Sequence, residues 1–310
     1  MYNARTEVHT PLDSVFHWDY DVHFPQIDRL YEKEMRMRAR EANKDKPLLS
    51  CSLLEFFLQV TGFKPTSYQE KLMLDLNQFI VARWARQSGK SLTLAVICLY
   101  NALSTPNTRV AILAPSLRQS RLMIRRISSF LPRLSNRVLE GRVWKTKLEF
   151  TNGSWIEAFP NSPETVRGLT CQLILIDEAN YIENDRDLYD AVVYTLGTTN
   201  GRLIATSTPG TRDSLFYEMC MNDEEYGDFS RHHVSFHDAL EPKGPLKKGI
   251  LEKLERMMRE DPWRWQREML AEFSEDEEAW FSHALIDAAI DNDLDYVENL
   301  DEKEGDVKEN

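Results

Sequence analysis

Short apolar runs punctuate the chain, and each ends in a different polar cluster. Phe79-Ile80-Val81-Ala82 runs towards Arg86-Gln87-Ser88-Gly89-Lys90-Ser91, and Leu173-Ile174-Leu175-Ile176 ends in Asp177-Glu178. Leu203-Ile204-Ala205 ends in Thr206-Ser207-Thr208-Pro209, and Arg109 to Leu113 in Ala114-Pro115-Ser116. Runs this short and this uniformly apolar read as strands buried on both faces, the signature of a parallel sheet. Leu92 to Tyr100 is apolar for longer and predicts a buried helix. Beyond Thr211 the period turns helical, at Leu215 to Met221 and again at Leu251 to Phe273. The first 50 residues are polar, with a charged helix predicted around Ile27 to Asn43. The pattern as a whole predicts an α/β fold with a parallel sheet flanked by helices.

The polar ends carry the chemistry, because open α/β sheets place ligands outside the carboxyl ends of their strands. Gly89-Lys90-Ser91 is the core of a phosphate-binding loop, with Trp84 where the usual signature has its first glycine. Gly89 lets backbone approach a phosphate, and the helix after it aims free N–H groups at the anion. Lys90 can reach β- and γ-phosphate oxygens, and the Ser91 hydroxyl can ligate Mg²⁺. Arg86 adds a permanently charged fork suited to bidentate phosphate contact. Arg86, Gln87, Ser88, Gly89, Lys90 and Ser91 are therefore expected to bind ATP.

The acidic strand end gives Asp177 to Mg²⁺ and Glu178 to the attacking water as general base. Its bland alternative is a pair of acids capping the next segment. Thr206, Ser207 and Thr208 would bring hydroxyls to the same edge, where they could sense the γ-phosphate; alone they would read as an ordinary strand before a Pro-Gly turn. Tyr68-Gln69 stands ahead of the helix leading to the first strand. Gln69 offers a donor and an acceptor that match an adenine edge, and Tyr68 a ring to stack on it.

Together these pieces resemble the ATPase domain of large terminase subunits, the DNA-packaging motors of tailed bacteriophages. The resemblance rests on Tyr68-Gln69, the arginine-containing loop, Leu175-Ile176-Asp177-Glu178-Ala179 and Ala205-Thr206-Ser207-Thr208-Pro209, with Ala114-Pro115-Ser116 and Arg167-Gly168 in support. It covers about residues 55–280. It implies a RecA-like P-loop NTPase that couples ATP hydrolysis, with Mg²⁺, to moving double-stranded DNA into a procapsid. Position by position it implies phosphate binding by Lys90 and Ser91, Mg²⁺ at Asp177, catalysis by Glu178, and coupling through Thr206, Ser207 and Thr208. Arg86 matches a loop arginine read as a phosphate sensor. The implied partners are a portal protein, a small terminase subunit and further copies in a ring, at the portal in the host cytoplasm. Members usually carry a second, RNase H-like nuclease domain; about 100 residues follow the coupling motif, so no nuclease activity is expected of this polypeptide.

Composition changes the picture in one respect. The net charge of −12 argues against a nucleic-acid partner. Yet residues 272–310 hold 15 acids and 2 bases, which leaves 35 acids and 36 bases elsewhere. Residues 109–147 hold ten bases and one acid, a block able to meet phosphates or a neighbouring subunit. Arg118, Arg121 and Arg125 share a helix face that is equally consistent with solvation. Arg133, Arg137 and Arg142 are candidates for an arginine finger acting in trans. His232, His233 and His237 lack a convincing further ligand for a metal, and Trp263 and Trp265 read as core. Cys51, Cys98, Cys171 and Cys220 are too scattered for a zinc or redox motif. No apolar run approaches the roughly 18 residues of a membrane span, and the start is not a signal peptide.

The predicted organisation is an N-terminal arm at 1–54, an ATPase core at 55–212, a mostly helical lid subdomain at 213–285 and an acidic tail at 286–310. Two other functions compete. A helicase-like DNA-dependent ATPase would need a second RecA-like domain, for which the chain is short. A regulatory nucleotide-binding module would not need Lys90 and Glu178 intact.

Overall fold

The computed structural model describes residues 45–134, 138–210, 212–259 and 261–274, together with Arg29, Tyr31, Glu34 and Met35. The chain divides into compact units at 1–42 and 43–310, and the fold below is that of the second. Most of the predicted charged helix and all of the acidic tail lie outside the described residues.

The order of elements is α1 (Leu53–Thr61), α2 (Ser67–Met73), β1 (Phe79–Trp84), α3 (Lys90–Ser104), β2 (Arg109–Leu113), α4 (Leu117–Ser128), β3 (Lys147–Glu149) and β4 (Trp155–Ala158). There follow α5 (Pro163–Arg167), β5 (Leu173–Asp177), α6 (Asp185–Gly197), β6 (Arg202–Ser207), α7 (Leu215–Met221), α8 (Asp223–Tyr226) and β7 (Ser230–Val234). The described part closes with α9 (Phe236–Ala239), α10 (Lys248–Met258), α11 (Pro262–Trp265) and a π-helical turn at Gln266–Leu270. Among the described residues no helix is long and apolar enough to cross a membrane.

Among the described residues the sheet has seven strands in the order β3-β4-β2-β5-β6-β1-β7, all parallel except β3. Side chains alternate across each strand, and the alternation sorts them into two cores. Ile80, Ala82, Val110, Ile112, Leu175 and Ile204 face α1, α3 and α4, where Phe56, Leu94, Leu99 and Ile124 cover them. Val81, Ala111, Leu113, Ile174, Ile176, Leu203 and Ala205 face α6 and α7, under Leu188, Val192 and Phe216. Both faces of the sheet are therefore dry, as the unbroken apolar runs require. Each fully buried aliphatic side chain contributes about 1.5–3 kcal/mol as an upper value.

Register brings the polar strand ends level. Ala82 pairs with Thr206, and Thr206 with Asp177, so the hydroxyl and acidic clusters are neighbours across the ladder.

Some expectations need correction. Tyr68 and Gln69 lie inside α2, in its first turn, rather than ahead of a helix. β7 belongs to the main sheet although its residues fall in the region read as helical. Phe236, Met258 and Met269 form a small core of their own with Leu251, Leu254 and Trp265. Trp265 joins that core, but Trp263 is 40% exposed and does not.

Candidate active site

The phosphate loop is braced from behind. Gln87 (φ 63°) and Gly89 (φ 91°) take left-handed backbone, so the reversal that an earlier glycine would serve is made later in the loop. A Cβ on Gly89 would also come within 2.9 Å of the Gln69 amide nitrogen. Position 84 is therefore free to be a strand residue, and Trp84 is fully buried with Tyr68 edge-on at 5.1 Å. The Tyr68 hydroxyl donates to the Ser88 carbonyl at 2.8 Å, and Ser88 Oγ to the Ala85 carbonyl at 2.7 Å.

Gln69 completes the brace. Its Oε1 accepts from the Thr66 N–H and its Nε2 donates to Thr93 Oγ1, each at 2.9 Å. Thr93 Oγ1 donates in turn to the Gly89 carbonyl. Gln69 and Tyr68, expected to meet adenine, are here engaged by the loop and the helices that flank it. Gln69 is 2% exposed, its amide oxygen and nitrogen are taken by protein partners, and Tyr68 is pinned under the loop. Both residues hold the loop's shape.

Lys90 opens α3 and is buried, yet its ammonium lies 2.9 Å from Glu178 Oε1 and 3.3 Å from Asp177 Oδ1. Burial alone would lower the Lys90 pKa. The carboxylates of Asp177 and Glu178 outweigh it and hold the pKa above the ordinary lysine value. Asp177 Oδ1 also accepts from Thr206 Oγ1 and from the Glu178 N–H, each at 3.1 Å. Glu178 Oε2 accepts from Ser207 Oγ and the Thr208 N–H at 3.4 Å. Glu178 itself is left-handed (φ 57°), a conformation that costs a non-glycine residue about 1–3 kcal/mol and recurs at functional sites. The expected lysine, carboxylates and hydroxyls therefore meet in one network that joins the start of α3 to the ends of β5 and β6.

Lys90 and Glu178 of this network floor a cleft of about 390 Å³, into which Ser91 and Thr208 also face, with Thr206 and Ser207 buried behind them. Its rim is made by residues with no motif to announce them: Gln119 and Arg126 from α4, Tyr181, and Glu268. Arg86 stands at this rim with its side chain 61% exposed. Its guanidinium lies 2.7 Å from Glu268, and its N–H donates to the Glu268 carbonyl at 2.8 Å. Glu268 sits on the π-helical turn, an irregularity that often marks functional sites. It was missed because 182 residues separate it from Arg86.

The proposed finger candidates are elsewhere. Arg133 donates to the Val60 carbonyl and so caps the last turn of α1, which occupies its guanidinium. Arg142 stacks over Trp144 at 4.1 Å, and Arg137 lies outside the described residues. The three histidines part company: His232 pairs with Asp75, His233 with the Leu270 carbonyl, and His237 packs on Phe236. Among the described residues no group of three or more His, Cys, Asp or Glu could hold a metal by itself. The Ser91 hydroxyl and the Asp177 carboxylate are hard oxygen donors. That pair suits Mg²⁺, which takes few protein ligands and completes its shell with water and substrate phosphates.

Residues 83–287 match the family model for the terminase large subunit, T4likevirus-type, N-terminal region. Among solved structures, the chain resembles the large terminase ATPase domain of Thermus phage P74-26, with 22% identity and a TM-score of 0.58 over 73% of this chain and 100% of that one. It resembles the large terminase of a thermophilic bacteriophage, solved in complex with ADP, at 15% identity and a TM-score of 0.56, over 66% of this chain and 52% of that one. The HK97 bacteriophage large terminase matches at 16% identity and a TM-score of 0.54, over 77% of this chain and 55% of that one. The chain thus spans a whole ATPase domain but only about half of the longer proteins. At these identities the structural likeness is one of fold.

Proposed function

The chain belongs to the terminase large subunit family, and we propose that it hydrolyses ATP to translocate double-stranded DNA into a viral procapsid. The observation that carries this reading is the single network of Lys90, Asp177, Glu178 and the β6 hydroxyls, which presents Lys90 and Glu178 to the cleft.

In this reading Lys90 takes the β- and γ-phosphates, assisted by the free N–H groups at the start of α3. Ser91 and Asp177 would hold Mg²⁺, which when bound would neutralise charge on the phosphate oxygens. Glu178 is the base that orients and deprotonates the attacking water. Its carboxylate is engaged by Lys90. An arriving triphosphate competes for Lys90 and frees Glu178, so the base becomes available only with substrate in place. Thr206 touches Asp177, and Ser207 and the Thr208 N–H touch Glu178. A change in the carboxylates' partners on hydrolysis is therefore felt directly by β6, a physical route for coupling. Arg86 reads the phosphates after exchanging Glu268 for them.

The lid expected at 213–285 is best placed in residues 236–270, which pack round their own core and supply Glu268. By family, the working state is a homo-oligomeric ring on the portal protein in the host cytoplasm, loaded by a small terminase subunit, with an arginine finger given in trans.

The test is ATP turnover with and without double-stranded DNA. Stimulation by DNA that weakens steeply with salt is expected. Nucleotide binding with no turnover under any condition would overturn the motor and leave a regulatory module.

A further inference from the structure

Among the described residues three cations face the cleft, and they differ in what holds them. Lys90 is engaged by Asp177 and Glu178, and Arg86 by Glu268. Arg126 faces the same cleft, and its guanidinium makes no ion pair or hydrogen bond to another described residue.

Its position follows from how α4 is seated. Ser120, Met123, Ile124 and Ile127 are the buried face and fix the helix's roll. At about 100° per residue, Gln119 and Arg126 fall within about 20° of each other on one flank of that face. Both line the cleft, while Arg118, Arg121 and Arg125 lie on other sides of the helix and do not. The basic helix thus turns one of its arginines inward.

The topology says which part of a ligand Arg126 would meet. α4 follows β2, and β2 pairs with β5, whose end carries Asp177 and Glu178. Arg126 therefore approaches from the side of the general base, whereas Arg86 and Glu268 stand on the side of β1 and β7. A guanidinium is planar, always charged and able to bind two phosphate oxygens at once. In phosphoryl transfer the charge that needs support lies on the equatorial oxygens of the terminal group, beside the base.

We propose that Arg126 contacts the terminal phosphate of the bound nucleoside triphosphate from within the same subunit, and so sets the preference for triphosphate over diphosphate. This rests on reading the cleft as the nucleotide site. Being outside the buried face of α4, Arg126 can be changed without opening the core.

The experiment is equilibrium titration of the full chain and its Arg126→Ala and Arg126→Lys variants with ATPγS and with ADP. Arg126→Ala is expected to weaken ATPγS about tenfold or more while ADP stays within about twofold. Arg126→Lys should recover part of the loss, since charge returns without the fork. Equal losses for both nucleotides, or none for either, would overturn the proposal. So would unchanged nucleotide affinities with a loss of DNA stimulation, which would make Arg126 a DNA contact. Lys90→Ala serves as the reference: if that variant binds both nucleotides as tightly as the parent, the cleft itself is misread, whatever Arg126 does.

Discussion

The floor and the rim of the cleft use the same kind of interaction under opposite conditions. On the floor, Lys90 is 8% exposed and sits between two carboxylates at the end of β5. At the rim, Arg86 is 61% exposed and meets one carboxylate on a distant turn. Water screens the rim pair, so its contribution is small, about 0–1 kcal/mol. It reaches the Lys90 ammonium far less, and removing that partner leaves the Asp177 and Glu178 carboxylates, 17% and 29% exposed, side by side without their counter-charge. The difference separates architecture from regulation: the floor must be right for the domain to work, and the rim can open at little cost.

The comparison can be broken at its strongest point first. Glu178→Gln should lower turnover about 10²–10⁴-fold while leaving ATP binding near normal, as measured by steady-state hydrolysis alongside nucleotide titration. Unchanged hydrolysis would remove Glu178 from the role of base. Next in size, Lys90→Ala should abolish tight nucleotide binding and cost about 3 kcal/mol in urea unfolding, because Asp177 and Glu178 then face each other unpaired. A stability equal to the parent's would mean the floor is as well solvated as the rim.

A pH series sharpens the same contrast. The Lys90 pKa is raised in the folded chain above the ordinary value of 10.5. Its stabilisation is therefore complete below about pH 10.5 and lost as pH climbs through the higher folded value. The stability gap between the parent and Lys90→Met should be flat up to that pH and shrink above it; a gap that shrinks near neutrality would contradict the pairing. The smallest effect belongs to the rim. Glu268→Gln should shift stability by no more than about 1 kcal/mol, and by nothing measurable in roughly 1 M salt, where the Debye length is about 3 Å. A larger, salt-resistant loss would place the pair with the floor.

What the sequence disclosed follows the same division. The floor was legible because its residues end apolar runs, and a run ending in charge has few physical uses. The strands themselves were legible because burial on both faces demands unbroken apolar segments. β7 was not: Ser230-Arg231-His232-His233-Val234 lies at the sheet's edge, buries His232 and Val234, and forms only because β1 offers a ladder. Its buried histidine is tolerated through Asp75, whose pKa is pulled down to about 2: burial alone would raise it, but hydrogen bonds from Ser230, Asn77 and His232 prevail. The part Gln69 plays in bracing the loop was not legible, because an amide satisfies a helix cap as readily as a base edge. Glu268 had no local signal and Arg126 only that of the basic block it shares with Arg118, Arg121 and Arg125, since each matters through what the fold sets beside it.

Arg86 and Glu268 lie 182 positions apart, which also fixes a schedule. A ribosome adding about 5–20 residues per second needs roughly 10–40 s to travel from one to the other. During much of that interval β1 exists without β6 or β7, the strands that flank it in the finished sheet. The loop is thus born early and completed late. A nascent chain would gain its full affinity for nucleotide only once β6 and β7, which hold β1 in the sheet, have emerged, and the turn bearing Glu268 arrives last as the counter-charge that the phosphates must displace from Arg86.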